Sequence, residues 1–311
     1  MVKPKKLNPK STIGIISPSY WLDNKSLNET IKYYKNLDYN IIVGKSNHLR
    51  KGPFAGTPQE RADDIHRMFI DQKVDAIICA RGGYGANKVL SLLDYKLIKN
   101  NPKIFIGYSD ITAYLLSITQ KTNLITFHGP MLSSNKSRFI KYNYDRMIEI
   151  LTQKKSLKIS HPINHTVRTL KKGKAFGPLW GGNITLIMNR LGTIDSLNTK
   201  GMILFLEDVD EYLYSFERML VHLREAGLFK NIKGLIIGEL QNIKDQDIPF
   251  DKNADEIVMD ICGDLNIPII SNYPCGHGTY QCTFPISIPV ELNANQKIPS
   301  ITILESAVSG D

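Results

Sequence analysis

The stretch Lys103-Ile104-Phe105-Ile106-Gly107-Tyr108-Ser109-Asp110 runs an apolar segment straight into a glycine and, two positions later, a serine. The residues that follow, Ile111 to Ile118, are spaced like a packed helix. This reads as buried strand, sharp turn, helix. A serine at such a turn has its hydroxyl pushed out of the fold, beside the backbone N–H groups of a helix N-terminus. Those groups and the helix dipole favour a developing oxyanion. This is the arrangement of a nucleophile elbow, although Ile111 stands where the second glycine of Gly-x-Ser-x-Gly would be. The same serine would also serve as a plain helix N-cap.

An attacking hydroxyl needs a base. His277, in Cys275-Gly276-His277-Gly278, sits between two glycines, with little side-chain bulk around it and a backbone free to adopt unusual angles. An imidazole of ordinary pKa, about 6.5, is neutral at pH 7 and can take the proton. The imidazolium so formed needs an anionic partner. The apolar run Gly201 to Leu206 stops at Glu207-Asp208, which places a carboxylate at a sheet edge; Glu207 suits the role, and a solvated strand end is the plainer reading. The order serine, acid, histidine is one of several that reach the same geometry. The glycine cluster Arg81-Gly82-Gly83-Tyr84-Gly85 lacks the lysine of a phosphate loop and the spacing of a dinucleotide fingerprint. It is either a tight strand-to-helix turn or a source of bare N–H groups. In the second case the N–H groups of Gly82, Gly83 and Asp110 form an oxyanion hole. Ser17, at the end of the first strand, and Tyr84 are candidates to touch substrate.

The elements that must position these residues follow a regular alternation. Strands are expected at 12–17, 41–43, 74–79, 103–107 and 124–127. Between them lie helices, one opened by the capping box Thr57-Pro58-Gln59-Glu60 with proline at its first helical position. Strands alternating with helices predict a parallel, doubly wound, flavodoxin-like sheet over residues 1–152. Ligands bind such sheets at the carboxyl ends of the strands, where the loops 17–19, 81–85 and 107–110 would meet. The polar, lysine-rich segment 153–173 reads as a linker. Residues 174–311 read as a second, mixed α/β domain, opening with a turn-rich loop at 176–183 and a helix from Ile184. The fold class is therefore α/β with two domains and the active site between them.

Composition narrows the function. The 311 residues are 42% hydrophobic, enough to give each domain a core, and no apolar run approaches the ~20 residues of a membrane span. The basic start is followed by an apolar stretch too short for a signal peptide, which predicts a cytoplasmic protein. Four cysteines do not make a disulfide scaffold, and Cys275 and Cys282 around His277 fit no common zinc spacing. The net charge is +9, from 39 basic and 30 acidic residues, but the lysines are scattered and form no stripe with aromatics. A solvated lysine-rich surface accounts for them better than a nucleic-acid partner.

Taken in order, Ser17-Pro18-Ser19, Arg81 to Gly85, Gly107 to Asp110, His128-Gly129-Pro130, Gly181-Gly182-Asn183, Leu206-Glu207-Asp208 with Glu217 to Leu220 after it, and Gly276-His277-Gly278 resemble the LD-carboxypeptidase family of serine peptidases, which includes the microcin-immunity peptidases. The resemblance covers nearly the whole chain. It implies a Ser-Glu-His triad, carried onto Ser109, Glu207 and His277, with no metal or other cofactor and usually a homodimer. It implies a muropeptide substrate, a murein tetrapeptide whose terminal D-alanine is released at an L-to-D bond during cell-wall recycling. No nucleic acid or membrane partner is implied. A second reading within the family is hydrolysis of a peptidyl or acyl-sulfamoyl adenylate. Members of that type resemble longer chains with an inserted loop that stacks on the base; here Trp180 is the residue that could stack. A non-enzymatic binder on the same fold would have no need of all three triad residues.

Overall fold

A computed structural model describes residues 1–131, 140–162 and 164–310. The chain forms two compact units. The first is Met1–Lys155 with two short returns, Thr283–Ile286 and Ser306–Asp311; the second is Ser156–Cys282 with Ser287–Glu305.

The first unit alternates as the sequence predicts. Its elements are β1 (Thr12–Ile16), α1 (Asn24–Asn36), β2 (Asn40–Val43), α2 (Pro58–Ile70), β3 (Ala76–Cys79), α3 (Tyr95–Asn100), β4 (Ile104–Gly107), α4 (Thr112–Thr122), β5 (Phe127–His128) and α5 (Lys141–Thr152). Strands β3 and β4 are buried at every residue, as strands covered on both faces should be. The parallel strands run in the order β5-β4-β3-β1-β2, and Phe284–Pro285 adds an antiparallel edge beside β5. Helix α2 starts at the predicted capping box: the Thr57 hydroxyl accepts from Glu60 N–H while the Glu60 carboxylate accepts from Thr57 N–H. The fifth strand is shorter and later than 124–127 suggests. Leu124 makes an isolated bridge to Val2, and ladder pairing with β4 begins only at Phe127.

The second unit is a mixed eight-stranded sheet. Its elements are β6 (Leu157–Ile159), β7 (Arg168–Lys171), β8 (Lys174–Asn183), α6 (Ile184–Met188), β9 (Ile203–Glu207), α7 (Leu213–Glu225), β10 (Gly234–Glu239), α8 (Ala254–Cys262) and β11 (Ile269–Gly276). The chain then visits the first sheet as β12 (Phe284–Pro285) and returns as β13 (Pro289–Asn293) and β14 (Ser300–Ile303). The order is β6-β14-β13-β8-β9-β10-β11-β7, with β8 to β11 mutually parallel. Two expectations change here. The segment 153–173 is not a bare linker: β6 and β7 are the two edge strands, and edge strands tolerate polar, lysine-rich sequence because one side faces away from the ladder. Residues 176–183 are the end of a ten-residue strand, not a turn-rich loop.

The glycines that suggested a turn have a packing role in that strand. Gly181 (φ +144°) pairs with Phe205 across the ladder, and a side chain there would overlap the Phe205 carbonyl oxygen. Backbone cannot move aside as a flexible side chain can. Gly192, at φ +73°, has open space around it. Gly181→Ala should therefore cost at least about 3 kcal/mol, as overpacking plus strain, and Gly192→Ala only about 1–2 kcal/mol, from backbone conformation alone. Denaturant unfolding of both variants checks this; equal losses would remove the steric account of Gly181.

Candidate active site

The C-terminal ends of β1, β3 and β4 converge within the first unit. Ser109, directly after β4, has φ +63°, in the left-handed region that non-glycine residues rarely occupy. Its side chain caps neither the short 3-10 turn Ser109–Ile111 nor α4. The N-cap reading thus fails, and the strained serine at a strand-to-helix turn is an elbow. Ile111 explains the missing second glycine. Its side chain is fully buried under the turn, and a Cβ on Gly107 would come within 2.8 Å of it.

The loop after β3 lies against this serine. A Cβ on Gly82 would sit 3.0 Å from Ser109 Cβ and 3.2 Å from Ser109 Oγ, so only glycine brings the backbone this close. Gly83 (φ +112°) is exposed and packs against Tyr20. Asp110 is buried; its carboxylate accepts from the Ser19 hydroxyl at 2.5 Å and from Ala86 N–H at 2.9 Å. Burial pushes the Asp110 carboxyl up, and these two donors pull it back. One side chain therefore ties together the loops after β1, β3 and β4. Arg61 does similar work from α2, donating to the carbonyls of Pro18 and Gly85.

The two residues expected at the substrate part company. Tyr84 is half exposed, with its ring tilted against Phe54. Ser17 is fully buried: its hydroxyl donates to Asn47 Oδ1 at 2.8 Å and its N–H to Ser46 Oγ at 2.9 Å. Its polar groups are spent on the loop after β2, so Ser17 is a brace and does not line a surface.

Within the second unit, Glu207 ends β9 and His277 follows β11. Glu207 is fully buried, and His277 Nδ1 lies 2.7 Å from Glu207 Oε2. A carboxylate only accepts, so Nδ1 carries the proton and Nε2 carries the basic lone pair. Gly276 (φ +98°) makes the approach possible, because a Cβ there would overlap Glu207 Oε2. The adjacent Asp208 turns the other way. It accepts from Asn183 Nδ2, Thr185 N–H and Thr185 Oγ1, which organises the turn after β8. Burial first, then the neighbouring Glu207, pushes its carboxyl up. Trp180, the candidate for base stacking, is only 6% exposed within β8.

One neighbour escaped the sequence reading. Glu239, the last residue of β10, packs against Gly278 and accepts from the Tyr280 N–H; burial pushes its carboxyl up to about 7. Its signal is the one used for Glu207, an apolar run, Gly234 to Gly238, that stops at an acid. Cys275 and Cys282 are buried thiols that burial pushes well up. Among the described residues, no cluster of three or more His, Cys, Asp or Glu side chains is arranged to hold a metal ion.

Comparison with known proteins finds a family match in each unit. Residues 13–129 match the LD-carboxypeptidase N-terminal domain and residues 176–292 the LD-carboxypeptidase C-terminal domain. The chain is 32% identical to a probable murein peptide carboxypeptidase of Bacillus subtilis, over 99% of this chain and 95% of the relative. It is 27% identical to the Microcin C7 self-immunity protein MccF of Escherichia coli, over 88% and 86%. The crystal structure of a muramoyltetrapeptide carboxypeptidase from Oxalobacter formigenes superposes with a TM-score of 0.84 at 27% identity, covering 94% of this chain and 99% of that one.

The Gly276 geometry makes a specific demand. Gly276→Ala must push the Glu207 carboxylate away from His277. Misplacing a catalytic group by ~1 Å costs on the order of 100-fold. Gly276→Ala should lower peptidase kcat by about that factor in a protein that still unfolds cooperatively. Wild-type kcat in the folded variant would show that the Glu207–His277 contact is dispensable.

Proposed function

The chain belongs to the LD-carboxypeptidase family of serine-peptidase hydrolases, and from that premise we propose that it releases the terminal D-alanine of murein tetrapeptides by cleaving an L-to-D peptide bond. The observation that carries the proposal is the hydrogen bond between the buried Glu207 carboxylate and His277 Nδ1, which fixes the imidazole as a base. In this reading Ser109 Oγ attacks the scissile carbonyl and His277 Nε2 takes its proton. Glu207 steadies the imidazolium. The N–H groups around Gly82, Gly83 and Asp110 receive the oxyanion, a contribution of roughly 10²–10³ per donor in comparable sites. His277 then returns the proton to the leaving amine of D-alanine, and water releases the peptide from Ser109 by the same steps reversed.

The proposal includes a cytoplasmic setting, a homodimer and chemistry that needs no metal. Among the described residues no helix is long and apolar enough to cross a membrane. The second reading, hydrolysis of a peptidyl or acyl-sulfamoyl adenylate, draws on the likeness to the microcin self-immunity protein. The burial of Trp180 removes the stacking surface that the sequence offered for it.

Incubation with murein tetrapeptide should yield tripeptide and free D-alanine by mass spectrometry, unaffected by EDTA. Ser109→Ala should lower turnover by about 10⁶-fold, because the members of a triad act as a unit. Turnover of an acyl-sulfamoyl adenylate with no D-alanine release would support the second reading. EDTA inactivation reversed by a divalent metal would overturn the metal-free mechanism.

A further inference from the structure

We propose that Arg81 is the receptor for the free carboxylate of the substrate's last residue. The inference rests on the carboxypeptidase reading of the Ser109 site and adds to it the group that recognises a chain end. Arg81 immediately precedes Gly82, whose backbone lies against Ser109. Consecutive Cα atoms are ~3.8 Å apart, and a terminal carboxylate lies one residue, at most ~3.6 Å, beyond the scissile carbonyl. An arginine rooted one residue from Gly82 is thus within side-chain reach of that carboxylate.

The guanidinium is held in place but not used up. It lies over the Tyr20 ring, 5.5 Å from its centroid, and Nη1 donates to the Trp21 carbonyl at 3.1 Å. Tyr20 is itself fixed to the same loop, its N–H donating to the Gly82 carbonyl at 3.3 Å. A guanidinium has five N–H donors, and one hydrogen bond leaves enough for a two-pronged grip on a carboxylate. Among the described residues no acid pairs with Arg81, whereas Arg67, Arg146, Arg168, Arg190 and Arg224 each pair with one. A half-buried cation over an aromatic ring, with no acid partner among the described residues and rooted next to the glycine that lies against Ser109, is arranged for an anion that comes with the substrate. The neighbouring arginines are placed differently. Arg61 is buried with its head on backbone carbonyls, and Arg50 is exposed over the Trp21 ring.

The test compares two substrates on two variants. Murein tetrapeptide with a free terminal carboxylate and the same peptide amidated at that position are assayed on the wild type, Arg81→Ala and Arg81→Lys. The wild type should prefer the free acid by roughly 100-fold in kcat/KM, the scale of a charged two-pronged hydrogen bond. Arg81→Ala should lose that preference while keeping its rate on the amide, which also shows that it is folded. Ethylguanidinium should restore its rate on the free acid alone. Arg81→Lys, which keeps a charge without the fork, should fall between. Equal losses on both substrates, or an undiminished preference in Arg81→Ala, would overturn the role of Arg81 and leave the carboxypeptidase reading standing. Equal wild-type rates on acid and amide would overturn both.

Discussion

The second unit is organised around a buried carboxylate. Burying an anion away from water is expensive unless it is hydrogen-bonded or neutralised. Glu207 sits at the end of β9, flanked by β8 and β10, where it is fully buried. His277 Nδ1 offsets that cost with a charge-assisted hydrogen bond at 2.7 Å, and the bond in turn fixes the ring's orientation and tautomer. The surrounding backbone is shaped to admit it. Gly276 leaves the carboxylate its space, Asp208 is drawn away by Asn183 and Thr185, and Glu239 braces the backbone just after His277. Breaking the pair would take away the charge-assisted partner of a buried carboxylate and the contact that orients the imidazole, so stability rests on this contact and, in the proposed mechanism, the chemistry does too.

The first unit solves a different problem, holding a strained serine. A left-handed non-glycine residue costs on the order of 1–3 kcal/mol and persists only where its surroundings over-determine it. Ser109 follows β4, which is buried at every residue and paired on both sides by β3 and β5. The Ile111 side chain fills the space under the turn. Asp110, held by Ser19 and Ala86, and Arg61, held by Pro18 and Gly85, lock the neighbouring loops to it. The strain is thus carried by a rigid frame, which is what the proposed nucleophile would require in order not to reorganise during attack.

Much of this was legible in the sequence, for physical reasons. The alternation of apolar strands and amphipathic helices specifies a parallel sheet, and Thr57-Pro58-Gln59-Glu60 specifies a helix start. A serine after an apolar strand and Gly107 marks the elbow even without its second glycine. What was hidden depended on partners distant in the chain. The lysine-rich segment after residue 153 looks like a linker because its strands are edges, with one side unpaired. Gly181 looks like a turn residue because its reason for being glycine is the close backbone of β9. Nothing local in Ser17 says that Asn47 and Ser46 will absorb its polar groups, or in Phe284-Pro285 that the chain returns to pair with β5. Arg81 lies inside a motif whose local signal is its glycines; only the packing puts its guanidinium over Tyr20, with no acid partner among the described residues.

The central claim is that Ser109 is a nucleophile whose reactivity depends on the Glu207–His277 pair. Labelling with a fluorophosphonate, followed by intact mass and peptide mapping, tests this without assuming any natural substrate. The account predicts a single adduct on Ser109, formed quickly in the wild type and orders of magnitude more slowly in folded His277→Ala and Glu207→Gln variants. An adduct on another residue, or unchanged labelling of Ser109 in His277→Ala, would contradict it.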